Sequence, residues 1–190
     1  MRITGGSARG ILLDVPRGVE YLRPATDFLR EAVFSALGKT VQNAIVLDLF
    51  AGVGSYGLEA LSRGAKACVF VDKNRLASDA IESNLERVKK SAGRDFGSKV
   101  FCRDIFAFAE TCSATFDIIF IDPPYNAMET LGMKCLQTFS RFLEDSNASR
   151  IVIEVPGSCK INAEPDIIEL RRLGRKSNCQ QPNAVIYGKK

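Results

Sequence analysis

Short apolar runs alternate with longer segments of helical periodicity along most of the chain. Buried strands of four to seven residues are predicted at 44–50, 67–71, 99–103, 118–121 and 150–155. Before and between them, apolar residues recur every three or four positions and predict helices that end near 37, 63, 90, 112 and 142. Strands that alternate with helices in this way predict a parallel, doubly wound α/β sheet.

Both ends of the chain depart from this alternation. Residues 1–24 are expected to form a separate small arm, a β-hairpin in which 2–4 and 11–13 pair around mobile, glycine-rich turns. A single larger domain, 25–190, follows the arm. Near its end the runs 167–173 and 184–187 predict two more strands, because the residues between them have too little apolar pattern for a helix.

The most informative stretch begins with the predicted strand 118–121. Its four consecutive apolar residues indicate a strand that is buried on both faces, and it stops at Asp122 because Pro123 and Pro124 cannot continue a ladder. Ligands of open α/β sheets bind at the carboxyl ends of strands. A carboxylate, two stiff carbonyl acceptors and the ring of Tyr125 would suit a flat ring that bears an amino group.

Other aspartates also follow predicted strands. Asp48, Asp72 and Asp104 lie at or near the carboxyl ends of the first three strands, and Asp122 ends the fourth. Those ends share one edge of a parallel sheet, where four carboxylates would repel one another unless a ligand or hydrogen-bond donors compensated. Taken singly, each aspartate could instead be a turn or cap residue.

A glycine-rich loop lies between the first strand and the next helix. The segment Gly52-Val53-Gly54-Ser55-Tyr56-Gly57 fits the dinucleotide fingerprint, and Asp72 lies near the distance expected of a ribose ligand. This pattern is therefore consistent with the binding of a nicotinamide cofactor. Asp48 favours S-adenosylmethionine (SAM) instead, because a carboxylate beside the loop would repel a pyrophosphate but suits a sulfonium and an ammonium. Asp104 could then accept from the adenine amino group.

Several segments resemble known methyltransferases. Asp122-Pro123-Pro124-Tyr125 resembles the catalytic tetrapeptide of enzymes that methylate exocyclic amino groups, and 47–52 resembles the first motif of SAM-dependent methyltransferases. The segments 23–27, 29–34 and 58–64 are similar to the family of 16S ribosomal RNA guanine-N2 methyltransferases. The resemblance implies a Rossmann-like class I fold, with a mostly parallel seven-stranded sheet that ends in an antiparallel hairpin.

The same resemblance implies a set of site residues. It makes Asp122, Pro123, Pro124 and Tyr125 catalytic, with Tyr125 stacked on the target base. The cofactor site would comprise Asp48, Phe50, Ala51, Gly52, Gly54, Gly57, Asp72, Lys73, Asp104 and Ile105. The expected substrate is ribosomal RNA within a small-subunit assembly particle.

The amino-acid composition argues against a metal site and against a histidine base. The chain of 190 residues has no histidine, and none of its six cysteines forms a C-x-x-C pair, so no metal site and no histidine base are expected. Reduced core thiols are the simplest reading of the cysteines. No apolar run approaches the ~20 residues that span a bilayer, and the N-terminus lacks an apolar signal core, so a cytoplasmic protein is expected.

Charge is distributed unevenly. The net charge is +4, of which residues 1–30 carry +2, residues 31–159 carry −2 and residues 160–190 carry +4. Basic terminal segments suit an anionic polymer. Arginine prefers forked contacts with phosphate, so the expected RNA-binding residues are Arg2, Arg9, Arg17, Arg23 and Arg30.

Three other functions stay open at this point. An adenine-N6 methyltransferase on DNA or another RNA would use the same tetrapeptide, although 190 residues leave little room for a DNA-recognition domain. A nicotinamide-dependent oxidoreductase fits the glycine loop. A catalytically inactive RNA-binding assembly factor could keep the same fold.

Overall fold

The computed structural model describes residues 1–16, 27–124, 128–157, 161, 165–174 and 182–190. Its α-helices are α1 (Asp27–Leu37), α2 (Ser55–Ser62), α3 (Arg75–Ala92), α4 (Ile105–Thr111) and α5 (Met128–Phe139). Its strands are β1 (Ile45–Leu49), β2 (Ala67–Asp72), β3 (Lys99–Cys102), β4 (Ile118–Ile121), β5 (Arg150–Pro156), β6 (Ile167–Leu173) and β7 (Pro182–Lys189). Short 3₁₀ turns extend α1 and α5.

The strands form one seven-stranded sheet in the order β3-β2-β1-β4-β5-β7-β6. Strands β1 to β5 pair in parallel, whereas β7 is antiparallel to both β5 and β6. The expected mostly parallel sheet with an antiparallel terminal hairpin is confirmed. The order places β1 between β2 and β4, so the loops after β1 and β4 leave the sheet side by side.

Alternate residues of each strand build a core on each face of the sheet. In β4, Ile118 and Phe120 pack with α1, α2 and α3, while Ile119 and Ile121 pack with α4 and α5. Both clusters consist of buried, mainly aliphatic and aromatic side chains, which is why β4 is apolar throughout. Cys68 and Cys135 are buried thiols, whereas Cys102 is exposed.

The described part of the N-terminal arm, residues 1–16, is built into the first of these cores. Arg2 and Leu12 form an antiparallel bridge, and Ile3, Ala8 and Leu13 are buried against the helices. The arm also caps α2: Ser7 donates its N–H to the Ser62 carbonyl at 2.8 Å. The expected pairing is confirmed, and hydrogen bonds and apolar burial join these residues to α2.

None of the helices in the described parts of the chain is both long enough and apolar enough to cross a bilayer.

Candidate functional site

The candidate site lies at the carboxyl edge of the sheet, where the chain leaves β1, β2 and β4. Strand β1 is followed by α2 on one face of the sheet, and β1 pairs with β2 on one side and β4 on the other. This is the switch point at which open α/β sheets form their ligand crevice. Asp48, Asp72 and Asp122 all occupy this edge, as the sequence predicts.

The loop after β1 has an unusual backbone. Phe50, Gly52 and Gly54 have φ of 56°, 57° and 83°, in the left-handed region. Glycine adopts this region freely, but Phe50 does so at a cost of about 1–3 kcal/mol. The turn is fixed by Ala51, which donates its N–H to the Val71 carbonyl at 3.2 Å and accepts from the Gly54 N–H at 2.7 Å. The loop is thus held in a strained shape over the ends of β1 and β2.

Asp72 ties this loop to the turn after β2. Its Oδ2 accepts from the Gly52 N–H at 2.9 Å, and its Oδ1 accepts from the Asn74 N–H at 2.8 Å. Each carboxylate oxygen has a second acceptor position. Asp72 can therefore hold the loop and still accept from two neighbouring hydroxyls, as a ribose would offer.

Asp48 is a buried carboxyl beneath the loop. It is 1% exposed, and its Oδ2 accepts from the Gly57 N–H at 2.8 Å. Burial raises the pKa of Asp48 to about 8; the Asp72 carboxylate adds to this shift and the Gly57 hydrogen bond opposes it. A cationic ligand would reverse this shift by stabilising the carboxylate.

We expect Asp48→Asn to stabilise the ligand-free protein by about 4 kcal/mol at pH 7, from the pKa difference between the unfolded and folded states below that pH. Between the usual carboxyl pKa of 3.8 and the raised value near 8, the folded protein binds a proton that the unfolded chain lacks. Stability therefore falls as pH rises through this window. Thermal unfolding at pH 5 and pH 7.5 should show a gap between variant and parent that widens with pH. A stability difference that does not change with pH would contradict the raised pKa of Asp48.

Gly57 supports Asp48 through its backbone N–H. A Cβ atom at this position would lie 2.3 Å from the Phe70 ring and 2.5 Å from the Cys68 sulfur. Glycine is needed here so that α2 can pack closely on β2. Gly57 thus packs against β2 and donates its N–H to Asp48, while its expected cofactor contact stays a prediction.

The remaining predicted cofactor residues differ in exposure. Asp104 is exposed and caps α4, with Oδ1 accepting from the N–H groups of Phe106 and Ala107 at 2.9 and 3.3 Å. Lys73 is exposed in the turn after β2. Ile105 is 3% exposed and packs in the core beneath α4, so it contributes chiefly to the seating of that helix.

Asp122 lies at the end of β4, next to the loop. Its backbone N–H donates to the Leu49 carbonyl at 3.4 Å, its side chain is half-buried, Pro123 is buried and Pro124 is exposed. Burial and the carboxylates of Glu154 and Asp48 raise the pKa of Asp122 well above its usual range. Tyr125 lies outside the described residues.

Sequence reasoning missed two members of this edge, Tyr56 and Glu154. Tyr56 donates its hydroxyl to Oε1 of Glu154 at 2.6 Å, and both side chains are 2% exposed. The signal for Glu154 was a charged residue inside the apolar strand 150–155, because glutamate is almost never fully buried without a partner. Among the described residues, no cluster of three or more acidic or cysteine side chains is arranged to hold a metal ion.

The predicted RNA-binding arginines separate into three groups. Arg2 and Arg9 are exposed and line a shallow cavity with Thr4 and Glu31. Arg17 and Arg23 lie outside the described residues. Arg30 is fully buried and donates to Glu59, Asp27 and the Arg2 carbonyl, so its expected RNA contact is corrected to a structural role.

Comparisons with known proteins identify the family of this chain and a solved structure of similar fold. The model of a family described as Conserved hypothetical protein 95 matches residues 1–182. The Ribosomal RNA small subunit methyltransferase D of Escherichia coli is 37% identical over 66% of this chain and 60% of its own length. Its namesake from Haemophilus influenzae is 32% identical over 71% of this chain and 70% of its own. The structure of yhhF from Escherichia coli, a candidate methyltransferase, superposes with a TM-score of 0.82 and 26% identity, and covers 100% of this chain and 98% of its own.

Proposed function

We propose that this chain, which belongs to the Conserved hypothetical protein 95 family, is a SAM-dependent methyltransferase that acts on ribosomal RNA. The proposed acceptor is the exocyclic N2 of a guanine in small-subunit (16S) RNA. The main support for the proposal is that Asp122 and its two prolines lie at the same sheet edge as the glycine-rich segment. Asp72 and Asp48 accept hydrogen bonds from the backbone of that segment. The relatives named as small-subunit methyltransferases support the RNA substrate.

The charges around the loop favour SAM over a nicotinamide dinucleotide. Asp48 lies beneath the loop and Asp72 bonds to it directly, so a pyrophosphate placed there would meet two carboxyl groups. SAM carries a sulfonium and, when bound, supplies the methyl group. Asp72 would accept from the ribose hydroxyls, Asp48 would provide negative charge for the cation, and Asp104 would accept from the adenine amino group. The backbone of Phe50 to Gly54 shapes this crevice.

The exit of β4 suits an amino group of a base. Two prolines remove two backbone donors in succession and leave carbonyl acceptors in a stiff segment. The Asp122 carboxylate and the Pro123 carbonyl can each accept one N–H of an exocyclic amine. Such an arrangement aims the nitrogen lone pair out of the ring plane, where the amine is a better nucleophile. Tyr125 would then stack on the base, a contact worth about 1–3 kcal/mol.

Mapping of modified nucleosides tests both substrate and position. Small-subunit RNA from a strain that lacks the gene would be digested and analysed by mass spectrometry, with and without complementation by the wild-type gene or an Asp122→Ala variant. We expect a guanine to gain an N2 methyl group only with the wild-type gene. A methyl group on adenine N6 would favour the main alternative, and unchanged RNA in all strains would overturn the proposal.

We also propose that the exposed arginines of the arm contact RNA phosphates. Replacing Arg2 and Arg9 with glutamate should weaken RNA binding and lower the slope of log affinity against log salt by about 2, while SAM affinity stays unchanged. The matched control replaces Lys99 and Lys134, two exposed lysines on β3 and α5, with glutamate. Equal losses in both double variants would show a general charge effect and exclude a specific contact of the arm.

A further inference from the structure

Asp122 and Glu154 are neighbours across two parallel strands. In β4 and β5, Phe120 pairs with Val152 and Ile121 pairs with Ile153, so the next position brings Asp122 beside Glu154. Alternation along each strand puts both side chains on the sheet face that carries Phe120 and Val152. Adjacent strands lie about 4.8 Å apart, so the two carboxyl groups are close enough to interact strongly.

Tyr56 fixes Glu154 in this position. It belongs to the first turn of α2, directly after the glycine loop, and its hydroxyl donates to Glu154 Oε1 at 2.6 Å. Its ring stacks on Phe120 with a centroid distance of 4.8 Å and an interplanar angle of 21°. Tyr56, which follows the glycine loop, therefore contacts both Phe120 of β4 and Glu154 of β5.

We propose that Glu154, oriented by Tyr56, is a positioning residue that makes Asp122 the proton acceptor of the methylation. This inference rests on the proposed function, because it requires Asp122 to contact the reacting amine. Tyr56 donates to Glu154 and so favours its carboxylate form. The negative charge of Glu154 beside Asp122 then makes Asp122 a stronger base.

The proton has to leave in this reaction. When the amine nitrogen forms its bond to the methyl carbon, the sulfur–carbon bond of the donor breaks and its electron pair stays on sulfur. The nitrogen then carries a positive charge and two hydrogens. One N–H bond breaks, its electron pair returns to nitrogen, and the proton passes to Asp122. A neutral Asp122 transfers the proton to water before the next turnover.

The surroundings of Asp122 agree with this role. Among the described residues, the ionisable groups that act on it are Asp48 on β1 and Glu154 on β5, while Tyr56 approaches from α2. Arg30 on α1 acts on Tyr56. The electrostatic neighbours of Asp122 are therefore acidic, which strengthens it as a base. Burial raises the pKa of Asp122 well above its usual range, and the Glu154 and Asp48 carboxylates raise it further.

The test compares Glu154→Gln with the parent protein by two measurements. The first is a pH titration of the Asp122 carboxyl carbon by ¹³C NMR without RNA or cofactor, with the resonance assigned from Asp122→Asn. We expect its midpoint to fall by about one pH unit or more. The second is the pH dependence of single-turnover RNA methylation. Its acid limb should move to lower pH by a similar amount, and its plateau should fall roughly tenfold because the base is weaker.

The matched control is Glu82→Gln, which removes the same charge from an exposed position on α3. It should leave both curves unchanged. Tyr56→Phe keeps the ring stack but removes the hydrogen-bond donor to Glu154. Without that donor, Glu154 takes up a proton more readily than Asp122, so the titration midpoint of Asp122 should also fall in this variant. This variant replaces Glu154→Gln if the latter does not fold.

Two results would overturn the inference. One is an Asp122 titration that is the same in the parent and both variants. The other is a shifted titration with an unshifted acid limb of the rate, since Asp122 would then not accept the proton. The NMR titration needs no substrate. It therefore tests the interaction between Glu154 and Asp122 even if the proposed RNA specificity is wrong.

Discussion

Asp122→Ala should lower the turnover of RNA methylation by two or more orders of magnitude, which corresponds to roughly 3 kcal/mol of barrier. The exocyclic nitrogen of a base is a poor nucleophile because its lone pair is delocalised into the ring. Asp122 accepts one of its N–H bonds and places negative charge where the nitrogen becomes positive, the general logic of a preorganised site. Alanine removes both effects but leaves the glycine loop intact.

The measurement is single-turnover methylation, with cofactor affinity determined separately by calorimetry. Cofactor affinity should change little, because Asp72 and the loop after β1 are held by their own hydrogen bonds. Asp117→Ala is the matched control: it removes an aspartate next to the opposite end of β4, where Asp117 accepts from the Ile45 N–H at 2.7 Å. Turnover near the wild-type value in Asp122→Ala would disprove the proposed chemistry even with the cofactor correct.

The sheet was predictable because its strands are short, apolar and regularly spaced. Four consecutive buried residues could form β4 only as a central strand, and the two prolines fixed its end. The terminal strand β7 was predicted at 184–187 but spans Pro182–Lys189. Its first two extra residues pair with β5 and its last two pair with β6, which apolar pattern alone does not reveal.

The site was predictable where a residue's role follows from its position at a strand end. Asp48, Asp72 and Asp122 meet because parallel strands share one edge. Arg30 and Glu154 were not predictable, since their roles depend on burial by distant segments. An arginine near a basic terminus is usually exposed, whereas Arg30 is buried between Glu59 of α2 and the Arg2 carbonyl of the arm.

Glu59 is the residue whose loss should destabilise the fold most, because it is the buried partner of Arg30. Its side chain is fully buried in α2 and accepts from the N–H groups of Thr4 and Gly5, both at 2.8 Å. It also accepts from the guanidinium groups of Arg63 at 2.7 Å and Arg30 at 3.4 Å. Among the described residues, the other acidic partner of Arg30 is Asp27, whose side chain is 41% exposed, so Glu59 is its buried counter-charge.

Glu59→Ala should therefore lower the free energy of unfolding by about 3–5 kcal/mol, because it leaves the buried guanidinium without its buried counter-charge. Among the described residues, Nη1 of Arg30 already lacks a hydrogen-bond partner, so the arginine has no spare contact to compensate. For a chain of 190 residues this loss corresponds to a fall in Tm of roughly 6–20 °C. Thermal and urea unfolding measure it.

Glu86→Ala is the control, because Glu86 forms only an exposed ion pair with Lys89 on α3 and should cost less than about 1 kcal/mol. A second variant, Glu59→Leu with Arg30→Met, removes both buried charges together and should recover part of the lost stability. Recovery is incomplete because the Thr4 and Gly5 N–H groups still lack their acceptor. Limited proteolysis should cut the arm more readily in both Glu59 variants than in the parent, because neither keeps the acceptor for the Thr4 and Gly5 N–H groups. If Glu59→Ala lost no more stability than Glu86→Ala, the anchoring of the arm would have to reside in its apolar contacts, Ile3, Ala8 and Leu13, instead.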